Sequence, residues 1–301
     1  MAVEESKDYL DVKALIILFI ITLVWGFNHP SIKYSTQGVA PVFASTLRSI
    51  IASMCGVIYC LWKKEKLFHT DINLFHGCVV GLLFGTEFAF LYFGLLYTDA
   101  ARSIIFIYMA PFIVAVGAHF FLKGDRLTFL KTLGLIVAFM GVLLVFQGKP
   151  TTAKRTMFFG DILEIIAAFL WAATTLYIKR YMAGKVRPIN TFLYQLVFSI
   201  PILFVVSLIL EPRWIIMLSP SIVGCIFFQS VIVAFITYFI WFKLIHEYSV
   251  SRLSAFTFFT PIFGVLAGVI FLNEQFTGSL MVGLPMVCMG IFLVNWRKRN
   301  R

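Results

Sequence analysis

The stretch Ala40–Trp62 reads APVFASTLRSIIASMCGVIYCLW. As a helix it is long enough to cross a hydrocarbon core of ~30 Å at ~1.5 Å per residue. It also carries an arginine. Arg48 lies about eight residues in, so roughly 12 Å below the surface. An arginine at mid-membrane costs at least ~2.5–3.5 kcal/mol on insertion scales, so it faces a water-filled cavity or an opposite charge. The acidic residue near the middle of another apolar stretch is Glu87, in FGTEFAFLYFG. Whether the two share one site is the central question of the chain.

The surroundings agree with a membrane setting. Of 301 residues, 60% are hydrophobic and only 13% charged, against ~25% charged in soluble proteins. Mean hydropathy is +0.94. The chain therefore reads as an all-α polytopic membrane protein, with membrane lipids as its surroundings. A net charge of +11 raises nucleic acid as a partner, but the basic residues sit in loops, as membrane topology demands, so no nucleic acid is expected. Cys55, Cys60, Cys78, Cys225 and Cys288 are odd in number, fall in apolar stretches and form no CxxC, which argues against a disulfide framework or zinc site. The histidines show no paired spacing, and no metal or cofactor is expected. The N-terminal dozen residues, MAVEESKDYLDV, lack the basic start of a signal peptide.

Ten spans follow in order, at about 13–34, 40–62, 74–97, 100–122, 129–147, 160–182, 188–210, 219–245, 250–272 and 278–296. Residues 148–159, GKPTTAKRTMFF, are the one linker-like segment. The second half repeats the first at an offset drifting between ~146 and ~150, in order through all five spans, as internal repeats do. Trp25 matches Trp171, Ile32-Lys33 matches Ile178-Lys179, and Arg48 falls opposite Gln195. Pro111 matches Pro261, and Gly134 and Gly141 match Gly283 and Gly290. The expected organisation is thus a first repeat at 1–147, an external linker at 148–159 and a second repeat at 160–301 with a basic tail. With the N-terminus inside, eighteen of the 25 Lys and Arg fall on the inner side, six fall outside, and Arg48 lies in the membrane. This bias puts both termini in the cytoplasm. Five spans per half turn the second repeat upside down, and inverted repeats place a solute site near the midplane where they meet.

These residues resemble the drug/metabolite transporter superfamily, in its EamA-type ten-helix branch, over essentially the whole chain. The resemblance rests on Trp25-Gly26 and Ile32-Lys33 with their echo at Trp171 and Lys179, on Arg48 in the second span, on Pro111 and Pro261, on Glu274 before Phe276-Thr277, and on Gly283 and Gly290. Asp125 departs from the glutamate usual at its position. The resemblance implies a carrier of small organic solutes, here in a bacterial inner (plasma) membrane.

The expected substrate-binding cavity contains Asn28, Arg48, Glu87, Tyr108, Trp171, Gln195 and Gln229 among aromatic walls. Arg48 and Glu87 lie at matching depth, so they form either an ion pair that fixes helix register or a site for an ionic solute or a proton. Glu87 is the proton-coupling candidate. Glu164 is read as an end charge or a cavity rim. Pro111 and Pro261 are hinge candidates, since proline removes a backbone bond and weakens the helix locally. Trp62, Trp214 and Trp296, at span ends, are read as interfacial anchors. A zwitterion would satisfy both charges, which makes export of amino acids or related metabolites the leading reading. Carriers of organic cations, sugars or nucleotide-related metabolites are alternatives, and a channel or a structural subunit are rival classes. No catalytic set is visible, so no enzyme is expected. The sequence leaves monomer and homodimer open.

Overall fold

The computed structural model describes residues 9–67, 72–95, 97–98, 100–146, 157–272 and 278–296. Ten helical spans cross the molecule. They are span 1 Val12–Ser35, span 2 Pro41–Lys63, span 3 Ile72–Leu95, span 4 Ala100–Ile107 continued by Ala110–Phe121, and span 5 Phe129–Phe146. Then come span 6 Met157–Tyr177 with a π-helical end Ile178–Met182, and span 7 Pro188–Leu210. Span 8 is Pro220–Phe227, π-helical Phe228–Thr237 and Tyr238–Glu247. Span 9 is Val250–Phe256 continued by Phe259–Leu272, and span 10 is Gly278–Asn295. Most of the linker-like segment lies outside the described residues, and its last part does not: span 6 already begins at Met157, because Met157-Phe158-Phe159 continue its apolar run.

Local chemistry sets the ends. Asp11 caps span 1 by accepting from the Ala14 N–H at 2.8 Å. Prolines open spans 2, 7 and 8, where their missing N–H is no loss. Spans 4 and 9 break at matching points. Beside Pro111 the backbone bonds tighten to i→i+3, with Met109 N to Phe106 O at 3.1 Å and Phe112 N to Met109 O at 3.0 Å. Beside Pro261 the same happens, with Thr257 N to Ser254 O at 3.0 Å. A proline one turn on removes the donor that would have continued the ladder. Pro30, Pro201 and Pro285 lie inside spans 1, 7 and 10, each of which runs on past its proline.

The span ends sort onto two faces. On the near face, Tyr248 donates to the Asp11 carboxylate at 2.7 Å, Asn190 donates to the carbonyls of Lys66 and Leu67, and the Ser251 N–H donates to Asp125. On the far face, Val39 bridges Ile215, Glu211 holds the start of span 2, and Thr98 donates to Asp161. Spans 1 and 6 therefore start at opposite faces, and the two halves run upside down to one another. Their packing is exchanged accordingly. Span 1 lies on span 9 as span 6 lies on span 4, and span 3 lies on spans 6 and 7 as span 8 lies on spans 1 and 2. Spans 2 and 7 pack together, as do 5 and 10. The last pair is the closest: a Cβ on Gly134 would stand 2.5 Å from the Gly290 carbonyl oxygen, so the two backbones touch only because both residues lack side chains.

The outer surface is apolar, with Ile16, Phe75, Leu82, Phe120, Phe169, Ile209 and Met281 exposed. Nine described helices are long and apolar enough to cross a membrane, and the tenth is shorter. The protein is an integral membrane protein. Trp62 and Trp296 are exposed at span ends, as anchors are. Trp214 instead stacks on Phe43, with ring centroids 4.9 Å apart.

Candidate functional site

Span 2 turns one face inward. Ser45, Arg48, Ser49, Ala52 and Ser53 recur at helical spacing and are all buried, while Met54, Ile58 and Leu61 face out. Arg48 is 3% exposed. Its guanidinium lies 4.6 Å from the centre of the Phe88 ring and 5.9 Å from that of Tyr238. Such contacts stabilise a cation by ~0.5–2 kcal/mol without supplying a counter-charge. Its Nε and Nη2 are buried and make no hydrogen bond.

Span 3 contributes Phe84, Glu87, Phe88 and Tyr92, again one helical face. Glu87 is 6% exposed and its Oε2 has no hydrogen-bond partner. The register ion pair considered for Arg48 and Glu87 is absent: no ion pair within 4.0 Å joins them among the described residues. Arg48 acts on Glu87 through space, while the Phe88 ring, one residue along, takes the contact. An arginine and a carboxyl thus share one enclosure, each with idle polar atoms. Left so, such groups carry the full cost of desolvation.

The walls are aromatic. Phe84 meets Phe88 at 4.6 Å and Tyr238 at 6.2 Å. Trp25 packs edge-on to Tyr238 and Trp241, and its Nε1 donates to Thr237 Oγ1 at 2.8 Å. Thr237 and Tyr238 stand where the π-helical part of span 8 ends, and the extra residue per turn re-aims side chains there. Tyr108 packs edge-on to Trp171 at 5.8 Å and faces Thr260. Both Tyr108 and Thr260 sit at the proline breaks of spans 4 and 9.

The expected cavity set is thus only partly gathered. Arg48 and Glu87 share the enclosure, and Tyr108 faces it through Tyr238 with Trp171 behind. Gln229 is used elsewhere: its amide donates to Ser31 at 3.2 Å and Ser35 at 3.0 Å, tying span 8 to the end of span 1. Gln195 is buried on span 7 with Oε1 unpartnered, and Asn28 is half-buried with Oδ1 unpartnered. No described contact brings either to Arg48. Phe84, Phe88 and the span 2 serines were not among the expected residues. The serines had a signal, since positions 45, 49 and 53 lie one turn apart around Arg48. The phenylalanines had none among 34 of their kind.

Arg48 and Glu87 are closed off from the surface in this conformation. One groove lies between spans 1, 9 and 10, lined by Phe19, Phe256, Phe259 and Phe292. Another lies beside spans 4, 5 and 10. Neither contains Arg48 or Glu87, which are enclosed. No group of three or more His, Cys, Asp or Glu comes together among the described residues. The enclosure can offer two N–H donors of a cation to an anionic group, and a carboxyl to an amine or a proton.

Comparisons with known proteins agree with this architecture. An uncharacterized transporter of Bacillus subtilis, YoaV, is 24% identical over 287 residues, covering 94% of this chain and 96% of its own. A protein of Escherichia coli named "Probable amino-acid metabolite efflux pump" is 24% identical over the same shares of both chains. A crystal structure matches with a TM-score of 0.80 at 18% identity, covering 94% of this chain and 96% of that one, which is a likeness of fold. The model of the EamA-like transporter family matches twice, at residues 12–147 and 158–296. With ten spans in two inverted sets and both sets matched, the chain belongs to the EamA-like transporter family.

Proposed function

We propose that the protein is a secondary carrier that moves small amphipathic metabolites by alternating access, with amino acids the leading class and export the main direction. The observation that carries this reading is the pair Arg48 and Glu87, buried together among aromatic rings with Arg48 Nε and Nη2 and Glu87 Oε2 uncommitted. A zwitterion brings a carboxylate to Arg48 and an ammonium to Glu87, so its entry satisfies both at once. An aromatic box alone would suit an organic cation, but Arg48 repels one. The name of the Escherichia coli relative supports the amino-acid class and the direction. The proline breaks at Pro111 and Pro261 supply the bending points, one in each half. The repeats at 1–147 and 160–301 would rock about the enclosure, with both termini cytoplasmic as the charge bias requires. Glu87 would carry the proton wherever transport responds to a pH gradient.

Counterflow of labelled amino acids in vesicles of purified protein tests this. Charge-assisted hydrogen bonds contribute ~1.5–3 kcal/mol, so Arg48→Leu should weaken apparent affinity by about 10- to 100-fold. Glu87→Gln should keep exchange and lose the response to a pH gradient. Unaltered affinity in the first variant, or a full pH response in the second, sinks the assigned role. A solute screen returning only sugars or only organic cations sinks the zwitterion reading.

A further inference from the structure

A second buried carboxyl lies away from the Arg48 group. Glu164, in the first half of span 6, is 0% exposed. Neither of its oxygens closes a hydrogen bond of good geometry. It lies at a close approach of spans 3 and 6. A Cβ on Gly94 would stand 2.9 Å from its Oε1 and 3.2 Å from the Gly160 carbonyl oxygen, so the missing side chain at Gly94 makes the room this carboxyl fills. Among the described residues, the groups that face it are few. Span 3 presents the Gly94 backbone, span 4 the Ser103 hydroxyl, and its own helix Asp161. Asp161 is the one charged group described as acting on it. The side chain of Arg102, next to Ser103, lies outside the described residues.

The chemistry of such a place is restricted. An ionised carboxylate without a donor or a cation has the full cost of desolvation to bear, and a second negative charge one turn away adds to it. A neutral carboxyl avoids both. Asp161 is different: it accepts from the Thr98 hydroxyl at 2.6 Å. Three residues earlier on the helix, it lies ~4.5 Å nearer the far face. Thr98 and Asp161 thus lie on the far-face side of Glu164. The Ser103 hydroxyl is the one donor described as acting on Glu164, so an ionised carboxylate there would have a single neutral partner and no cation among the described residues.

We infer that Glu164 is a proton-binding site separate from the Arg48–Glu87 enclosure, holding its proton while spans 3 and 6 are closed and exchanging it with the far face by way of Asp161 and Thr98. The inference adds to the carrier reading, and its test needs no solute, so the two can fail independently.

The probe is the proton itself. Purified protein in lipid nanodiscs is titrated from pH 5 to pH 10 while the infrared C=O band of protonated carboxyls is recorded. One component of the band at pH 6 should be missing in Glu164→Gln and unchanged in Glu87→Gln. In the unaltered protein that component should shift on transfer to D2O and vanish as pH rises. If the Gln variant does not fold, Glu164→Asp keeps the carboxyl on a shorter arm and should displace the same component in frequency. An unaltered band in the substituted proteins overturns the inference. So does a component that survives at pH 10 and after D2O transfer, which would mark a locked carboxyl. Loss of the component at fixed pH when choline is replaced by Na+ would mark a cation site and overturn it as well.

Discussion

Asp125→Asn should destabilise the near face in a way that acid erases. Asp125 stands in the turn between spans 4 and 5, outside the membrane spans. Its carboxylate accepts from Lys131 Nζ at 2.9 Å, from the Ser251 N–H at 3.0 Å and from the Ser251 hydroxyl. The two charged side chains are only 6% and 5% exposed. Asp125 belongs to the first half and Ser251 to the second, so the contact ties the halves together. Removing one charge of a buried pair costs ~3–5 kcal/mol. Asn retains an acceptor for Ser251, which puts the expected loss toward the lower end of that range. Asp125→Asn combined with Lys131→Met removes both charges, and should recover much of the loss. The pH sign follows from the surroundings. Burial pushes the Asp125 carboxyl up, but the Lys131 ammonium and the bonds from Ser251 outweigh it and hold the group below its ordinary range. A depressed folded-state value stabilises fully above the unfolded value of ~3.9 and is lost as pH falls through the folded one. The gap between the unaltered protein and Asp125→Asn should thus be constant from pH 5 to 8 and shrink below about pH 4. Thermal unfolding in detergent, followed by size exclusion after each heat step, reads it. Equal melting at pH 7, a gap undiminished at pH 3, or a double variant no better than the single one would refute the reasoning.

Two further outcomes follow from the far face and from the alternation of the ends. Glu211 accepts from the N–H groups of Val42 and Phe43 at 2.7 and 2.8 Å and from the Ser207 hydroxyl at 2.7 Å, acting as a borrowed cap for span 2, whose own preceding residue Ala40 has none to offer. Glu211→Ala should cost ~0.5–2 kcal/mol, seen as a lower melting temperature, while Glu211→Gln should lose less; equal melting of all three would remove the capping role. Single cysteines placed at Thr152 and Lys185 in a cysteine-free background should label from opposite sides with an impermeant reagent, Lys185 from the cytoplasm; labelling of both from one side would overturn the proposed orientation.

Much of the fold was legible along the chain because its causes are local. A run such as Ala40–Trp62 reports its own fitness to span a membrane. Pro111 and Pro261 announce the breaks in spans 4 and 9, since a missing N–H acts within one turn. The order of matched residues at a near-constant offset carries the repeat, and an odd number of spans in each half carries its inversion. The site was legible only in part. Depth along a helix can be counted, so Arg48 and Glu87 could be placed at one level. Whether two side chains meet depends on how each helix is rotated and which helix stands beside it, and those are settled by packing between residues distant in sequence. That packing put Phe88 rather than Glu87 against the Arg48 guanidinium, gave Gln229 to Ser31 and Ser35, and closed the enclosure against the surface. It also set Gly94 against Gly160, leaving the Glu164 carboxyl fully buried where the sequence by itself showed only an acidic residue near the end of a span.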